Sequence, residues 1–152
     1  LYSRAKFDEY VHFIKERGEL FGLIMIDLDD FKAVNDNYGH QAGDVVLTEF
    51  ARILKQVFRS ERMVARIGGD EFMVVTYHDA NAAGKSVTAV RDVMGKLKKI
   101  PALKTLRFSY GFIQNTPELS IDDLLSKVDH RMYDDKAKNK GVPPTNGRSV
   151  LS

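Results

Sequence analysis

Residues 66–72 read Arg-Ile-Gly-Gly-Asp-Glu-Phe, and a further acid, Asp27, closes the apolar run Phe-Gly-Leu-Ile-Met-Ile-Asp that begins at Phe21. A carboxylate at the mouth of an apolar strand is costly to shield from water unless a positive group sits beside it. Hard divalent cations take oxygen ligands, commonly one or two carboxylates completed by phosphate oxygens and water. Acids brought together from separate strands repel, which makes a bound cation their natural counterweight. Asp70 and Glu71 alternate in direction if a strand resumes there, so one of the two is expected to face Asp27. Gly68 and Gly69 suit a turn with positive φ and let a ligand or another backbone approach closely. The competing reading is plainer: Asp27, Asp29 and Asp30 complement a helix dipole, and Asp70 and Glu71 decorate a solvated hairpin tip.

Other residues extend this chemistry. The segment from Leu28 to Lys32 is expected to open a helix whose free N–H groups hold phosphate oxygens, with Lys32 adding a mobile charge. In Asn-Asp-Asn-Tyr-Gly-His-Gln-Ala-Gly-Asp, residues 35–44, Asn35 and Asp44 flank a glycine-containing turn. An amide and a carboxylate suit a purine edge, and the carboxylate accepts from guanine N1–H and the exocyclic amine, which adenine does not offer. The same residues are routine in turns, and His40 alone reads as structural. Met132, Lys136 and Lys140 recur every fourth residue. Two lysines on that stripe neutralise either a triphosphate or the C-terminal dipole of their own helix.

The elements that must position these groups follow from periodicity. Ser3 caps a helix to about Arg17, with Phe7, Tyr10, Val11 and Ile14 on one face and Gly18 ending it. The run ending at Asp27 reads as a strand covered on both faces. A short helix with acidic start signals follows, then a longer one from Ala42 to Phe58. Met-Val-Ala-Arg-Ile and Phe-Met-Val-Val-Thr-Tyr flank the Gly-Gly-Asp-Glu turn as a hairpin. A helix from Ala80 to Lys99, a strand over Thr105–Gln114 and a last helix opening at Ser120 and Asp123 complete the order. This is an α+β arrangement, a sheet containing antiparallel strands with helices packed on it.

Composition bounds the class. The 152 residues suit a single domain with one core, at 43% hydrophobic and 29% charged. A net charge of +2 is too small for electrostatic gripping of nucleic-acid polymers or an anionic membrane, so any nucleotide recognition is local. The absence of cysteine fits a reducing, cytoplasmic compartment and excludes thiolate metal sites. No apolar run approaches membrane-spanning length. The abrupt start at Leu1 suggests a piece of a longer protein.

Taken together these stretches resemble the GGDEF-domain diguanylate cyclases over nearly the whole chain. Leu-Ile-Met-Ile-Asp-Leu-Asp-Asp-Phe-Lys-Ala-Val-Asn-Asp-Asn-Tyr-Gly-His-Gln-Ala-Gly-Asp-Val-Val-Leu is similar to the family pattern LDxDxFKxxNDxxGHxxGDxxL. The name motif is intact at 68–72. Residues 128–141 resemble the closing ADxAMYxAKxxGRN, and Leu1–Phe7 the opening GLxNRxxF just inside the usual DxLTG start. The resemblance implies a central mixed sheet wrapped by helices, related to polymerase palms and nucleotidyl cyclases. It implies condensation of two GTP into cyclic di-GMP with release of two pyrophosphates, one GTP per domain, in a homodimer. Carried over, Asp27, the Leu28 carbonyl and Asp70 would bind Mg²⁺ or Mn²⁺, with Glu71 assisting. Asp30, Phe31 and Lys32 would hold the β- and γ-phosphates, with Lys136 and Lys140 also on the phosphates. Asn35 and Asp44 would read guanine, with His40 lining the pocket, and Gly68 and Gly69 would also be substrate-binding.

The chain departs from the family in two places. The inhibitory product motif RxxD reads Arg59-Ser60-Glu61-Arg62, so the acid has become a cation and tight product inhibition is not expected. The closing arginine is Lys140, preceded by Asn139 instead of glycine, with Arg148 a substitute if residues 142–146 are an insertion. Lysine binds phosphate as a point charge and lacks the bidentate fork. The alternatives to an active cyclase are an idle GTP- or cyclic di-GMP-binding regulatory module and a cyclase making adenine-containing dinucleotides. Retention of Asp27, Asp70 and Glu71 argues against the first, and Asp44 against the second.

Overall fold

The computed structural model describes residues 1–97 and 99–141; Pro143, Pro144 and Arg148 lie outside the described residues. In chain order the elements are α1 (Arg4–Glu16), β1 (Gly22–Asp29), α2 (Phe31–Tyr38), α3 (His40–Val57), β2 (Met63–Arg66), β3 (Glu71–Thr76), α4 (Ala80–Lys96), α5 (Pro101–Thr105), β4 (Arg107–Gln114) and α6 (Ile121–Asn139). Caps explain several boundaries. Ser3 accepts from the Lys6 N–H at 3.2 Å to start α1, and Gly18, at φ 67°, takes the left-handed turn that ends it. Ser120 and Asp123 exchange bonds across the first turn of α6, a complete capping box.

The strands lie in the order β2-β3-β1-β4, each neighbouring pair antiparallel. The parallel component expected of a mixed sheet is confined, among the described residues, to an isolated bridge between Tyr2 and Ala65. β1 is central and covered on both faces, which is why its sequence is continuously apolar. On one face Ile24, Ile26 and Leu28 join Phe50, Phe72 and Phe108 beneath α2 to α5. The Phe50 ring stands against those of Phe72 and Phe108 at 5.3 and 5.5 Å. On the other, Leu23 and Met25 pack with Phe7, Val11 and Ile14 of α1 and Leu124, Val128 and Met132 of α6.

Some sequence expectations shift. β1 does not stop at Asp27: Leu28 and Asp29 stay on the ladder opposite Phe108 and Arg107. Asp27 and Asp29 are thus strand residues, and helix α2 opens at Phe31 instead of near Leu28. Asp30 alone heads α2, at φ 50° and without a side-chain cap bond, so the dipole-complementing reading of the three acids does not hold. Gly39, at φ 89°, ends α2 and lets α3 begin at once with His40. α4 ends at Lys96, and the short α5 follows with Pro101 in its first turn; proline there fits because its missing N–H has no helical partner in any case.

Candidate active site

The β1–β3 register sets Asp27 directly opposite Glu71, and the β1–β4 register sets it opposite Ser109. Directly paired residues share a sheet face, so Glu71, Asp27 and Ser109 form a row on the side covered by α6. Asp29, two residues on, continues that face. Of the two hairpin acids, Glu71 is therefore Asp27's neighbour in the ladder, while Asp70 joins through its backbone, its carbonyl accepting from the Leu28 N–H at 3.1 Å.

Helix α6 brings the cation. It lies so close to β4 at Gly111 that a Cβ there would strike the Met132 N–H and the Val128 carbonyl. One turn beyond Met132, Lys136 donates to Asp27 Oδ2 at 2.9 Å and stands 3.8 Å from Asp29 Oδ1. The stripe of Met132 and Lys136 read from the sequence is thus borne out: the first is core, the second enters the acid cluster. The same helix supplies Asp135, whose carboxylate accepts the Tyr110 N–H at 2.9 Å.

Asp29 is buried and fully engaged. The Ser109 hydroxyl donates to it at 2.8 and 3.0 Å, and Asn139 Nδ2 donates at 3.2 Å while also reaching the Ser109 hydroxyl and the Phe108 carbonyl. Sequence reasoning missed Ser109 and Asn139 as site-building residues. The available signals were a serine inside an apolar strand and an asparagine where the family pattern has glycine.

Asp27 is different. Its Oδ1 is buried and has no hydrogen-bond partner. Burial pushes its carboxyl up to about 6, opposed by Lys136 and aided by the negative charges of Asp70 and Glu71. Burial pulls the Lys136 ammonium down, but Asp27, Asp29 and Asp70 hold it above its ordinary value overall. A carboxylate oxygen without a donor, pressed by two further acids, fits a site for a cation. Among the described residues no group of three acids or histidines is arranged to hold a metal ion, so Asp27, Asp70 and Glu71 do not form a three-carboxylate set here.

The hairpin holding Asp70 and Glu71 is organised from outside. Arg66 donates to the Gly68 carbonyl at 3.2 Å and the Gly69 carbonyl at 2.6 Å, and the Ile67 N–H donates to the Glu71 carbonyl at 2.9 Å. Neither Gly68 nor Gly69 adopts positive φ, so the turn conformation expected for them is not used. At Gly69 nothing lies within 4 Å of an added Cβ, leaving open space above the turn; at Gly68 such a Cβ would stand 3.0 Å from the Glu71 carboxylate.

The remaining candidates lie beside this cluster. The Asn35 side chain rests on the bare backbone of Gly43, where a Cβ would overlap its Oδ1 and approach the Phe31 ring. Asp44, one residue on, is exposed, as are Lys32 and His40. Among the described residues none of Asp30, Lys32, Asn35, His40 and Asp44 has a side-chain hydrogen bond or ion pair. Lys140 forms the C-cap of α6 and lines a cavity of about 400 Å³ with Asp29, Asp30, Thr105, Arg107 and Asn139.

Arg59 and Arg62, paired in the sequence as a degenerate product site, separate in the fold. Arg62 turns inward to Glu19 at 2.9 Å, to the Tyr10 hydroxyl at 3.4 Å and to the Leu20 carbonyl at 3.3 Å, with its guanidinium 4.3 Å over the Tyr77 ring. It is a structural tie. Arg59 stays exposed, lining a different cavity with Tyr2, Lys55 and Phe58.

Comparison with known proteins agrees with this architecture. Residues 1–142 match the model of the family described as diguanylate cyclase, GGDEF domain. The chain is 31% identical over 147 residues to diguanylate cyclase VdcA of Vibrio cholerae, covering 93% of this chain and 43% of that protein. It spans less than half the length of the curated relatives it matches. Among solved structures it is similar to the GGDEF domain of DgcB from Caulobacter crescentus in complex with c-di-GMP. The TM-score is 0.76 at 26% identity, over 92% of this chain and 84% of that one. It is also similar to diguanylate cyclase SiaD of Pseudomonas aeruginosa in complex with its activator SiaC, at TM-score 0.78 and 29% identity over 91% and 55% of the two chains. Among the described residues no helix is long and apolar enough to cross a membrane. With its name motif on the β2–β3 hairpin and the family's lysine on Asp27, the chain belongs to the GGDEF diguanylate cyclase family.

Proposed function

We propose that this chain is the catalytic domain of a longer cytoplasmic or membrane-tethered protein and condenses two GTP molecules into cyclic di-GMP and two pyrophosphates. The observation that carries the reading is Asp27: a buried, unpaired carboxylate oxygen at the junction of β1 and the Gly-Gly-Asp-Glu-Phe hairpin, with Lys136 already engaged on its other oxygen. Asp27, the Leu28 carbonyl and Asp70 would hold Mg²⁺ or Mn²⁺, with Glu71 assisting from the next strand. Bound there, such a cation would supply Lewis-acid charge withdrawal from the α-phosphate and activation of the ribose 3′-hydroxyl.

The chain's own groups do the rest. The N–H groups opening α2 at Phe31 and Lys32, together with Lys136, hold the β- and γ-phosphates and stabilise the departing pyrophosphate. Lys136 is poised to shift from Asp27 to the phosphate charge when substrate arrives, since both need the same ammonium. Asn35 and Asp44 read the guanine edge on the α2–α3 turn, with His40 beside them. Each domain holds one GTP, so a symmetric product requires two copies face to face, each presenting its 3′-hydroxyl to the other's α-phosphate.

Incubation with GTP, ATP and Mg²⁺ followed by chromatographic separation tests the reading. Cyclic di-GMP as the product supports it. Binding without turnover identifies a regulatory module, and an adenine-containing dinucleotide refutes the assignment of Asp44.

A further inference from the structure

Arg107 opens β4 directly opposite Asp29, yet among the described residues its side chain makes no hydrogen bond and no ion pair. Its cross-strand neighbour is already satisfied, because Asp29 is held by the Ser109 hydroxyl, the Asn139 amide and, more distantly, Lys136. Arg107 lines a cavity of about 400 Å³ with Asp29, Asp30, Thr105, Asn139 and Lys140, and a second of about 250 Å³ beside Arg91 and Met94. The larger cavity lies between the head of α2 and the end of α6, at the side of the Asp27–Lys136 pair. Its cations, Arg107 and Lys140, come from different elements, and among the described residues neither forms an ion pair, although the acids Asp29 and Asp30 line the same cavity.

We infer that Arg107 binds the terminal phosphate of the nucleoside triphosphate and supplies the bidentate fork that Lys140, a lysine where the family pattern has arginine, does not. A guanidinium presents two parallel N–H donors to a phosphate, whereas an ammonium acts as a point charge. Asn139 belongs to the same device. Its amide ties the last turn of α6 to the Phe108 carbonyl and the Ser109 hydroxyl on β4, and so holds together the two backbone segments that carry the cations. The consequence is specificity for chain length: a triphosphate reaches Arg107 and a diphosphate does not. The inference rests on the assignment of the site to GTP.

The test measures binding of α,β-methylene GTP, α,β-methylene GDP and GMP, with Mg²⁺, to the wild type and to Arg107→Ala, Arg107→Lys and Lys140→Ala. The expected result is a wild-type preference for the triphosphate that Arg107→Ala reduces by about 10- to 100-fold, by the scale of charge-assisted hydrogen bonds. Diphosphate affinity is unchanged, Arg107→Lys recovers only part of the loss, and Lys140→Ala loses less than Arg107→Ala. The melting temperature of Arg107→Ala stays at the wild-type value, since the side chain is exposed and makes no bond within the protein. An unaltered triphosphate preference, an equal loss for both nucleotides, or full recovery with lysine overturns the inference while leaving the proposed function standing. A wild type that binds none of the three ligands removes both.

Discussion

Asp27→Asn probes the electrostatics of the site without involving substrate. In the metal-free domain burial holds the Asp27 carboxyl at about 6, against 3.8 for the free side chain. An acid with a higher pKa in the folded chain keeps its proton longer there than in the unfolded chain. Through that interval the folded state binds more protons, so stability falls as pH rises from about 4 to about 6. Below the interval both states are protonated; above it both are ionised, and the folded chain carries the full cost of a desolvated carboxylate. A rise of roughly two units corresponds to roughly 3 kcal/mol.

Glu19, Glu49 and Glu118 shift the opposite way, so the raw pH profile mixes signs. The difference between wild type and variant isolates Asp27, because asparagine has no proton to lose. Lys136, raised above its ordinary value, is protonated in both states throughout and drops out. Urea unfolding in EDTA, repeated at intervals between about pH 4 and pH 6.5, should show the wild type losing about 3 kcal/mol relative to Asp27→Asn across the window. A flat or rising difference refutes the reasoning, since it means the carboxylate is hydrated or fully compensated by Lys136.

Asp70→Asn keeps the shape of the hairpin and removes its charge; turnover of GTP should fall at least about a hundredfold, and a retained rate defeats its assignment to the cation. Gly111→Ala drives a methyl group into the α6 backbone rather than into a movable side chain, so a stability loss of roughly 3 kcal/mol is expected in denaturant titrations, together with reduced activity as Lys136 is displaced. Cyclic di-GMP should bind weakly, because Arg62 is spent on Glu19, Tyr10 and Tyr77 and leaves Arg59 alone; a submicromolar Kd that disappears in Arg59→Ala contradicts this. The rate per domain should rise with protein concentration at or below low micromolar levels, and constancy across a hundredfold dilution rules out the face-to-face arrangement.

What the sequence made legible was local. The hairpin, the capping box at Ser120 and the placement of Met132 and Lys136 on one stripe each depend on spacings of four residues or fewer. What it hid depends on pairing between distant segments. The end of β1 is set by β4, not by anything near Asp27, so Leu28 and Asp29 read as the opening of a helix that only Asp30 heads. Arg62 looked like a damaged ligand site only because its partner Glu19 lies far back in the chain, after α1. Gly68 and Gly69 suggest positive φ, whereas a turn without it, braced by Arg66, serves.

Asn139 shows why such a departure has two physical readings until the fold is known. Read along the chain, it replaces a flexible glycine just before Lys140 and counts against the motif. Read in space, its amide reaches Asp29, Ser109 and the Phe108 carbonyl and completes the satisfaction of a buried carboxylate. An unsatisfied charge at that depth would be expensive. Glycine has no side chain to offer Asp29, so a chain with glycine there would need water or another donor in its place. The same residue that weakens the resemblance therefore completes the hydrogen bonding of Asp29 and leaves Lys136, which stands 3.8 Å from Asp29 Oδ1, to donate to Asp27 at 2.9 Å.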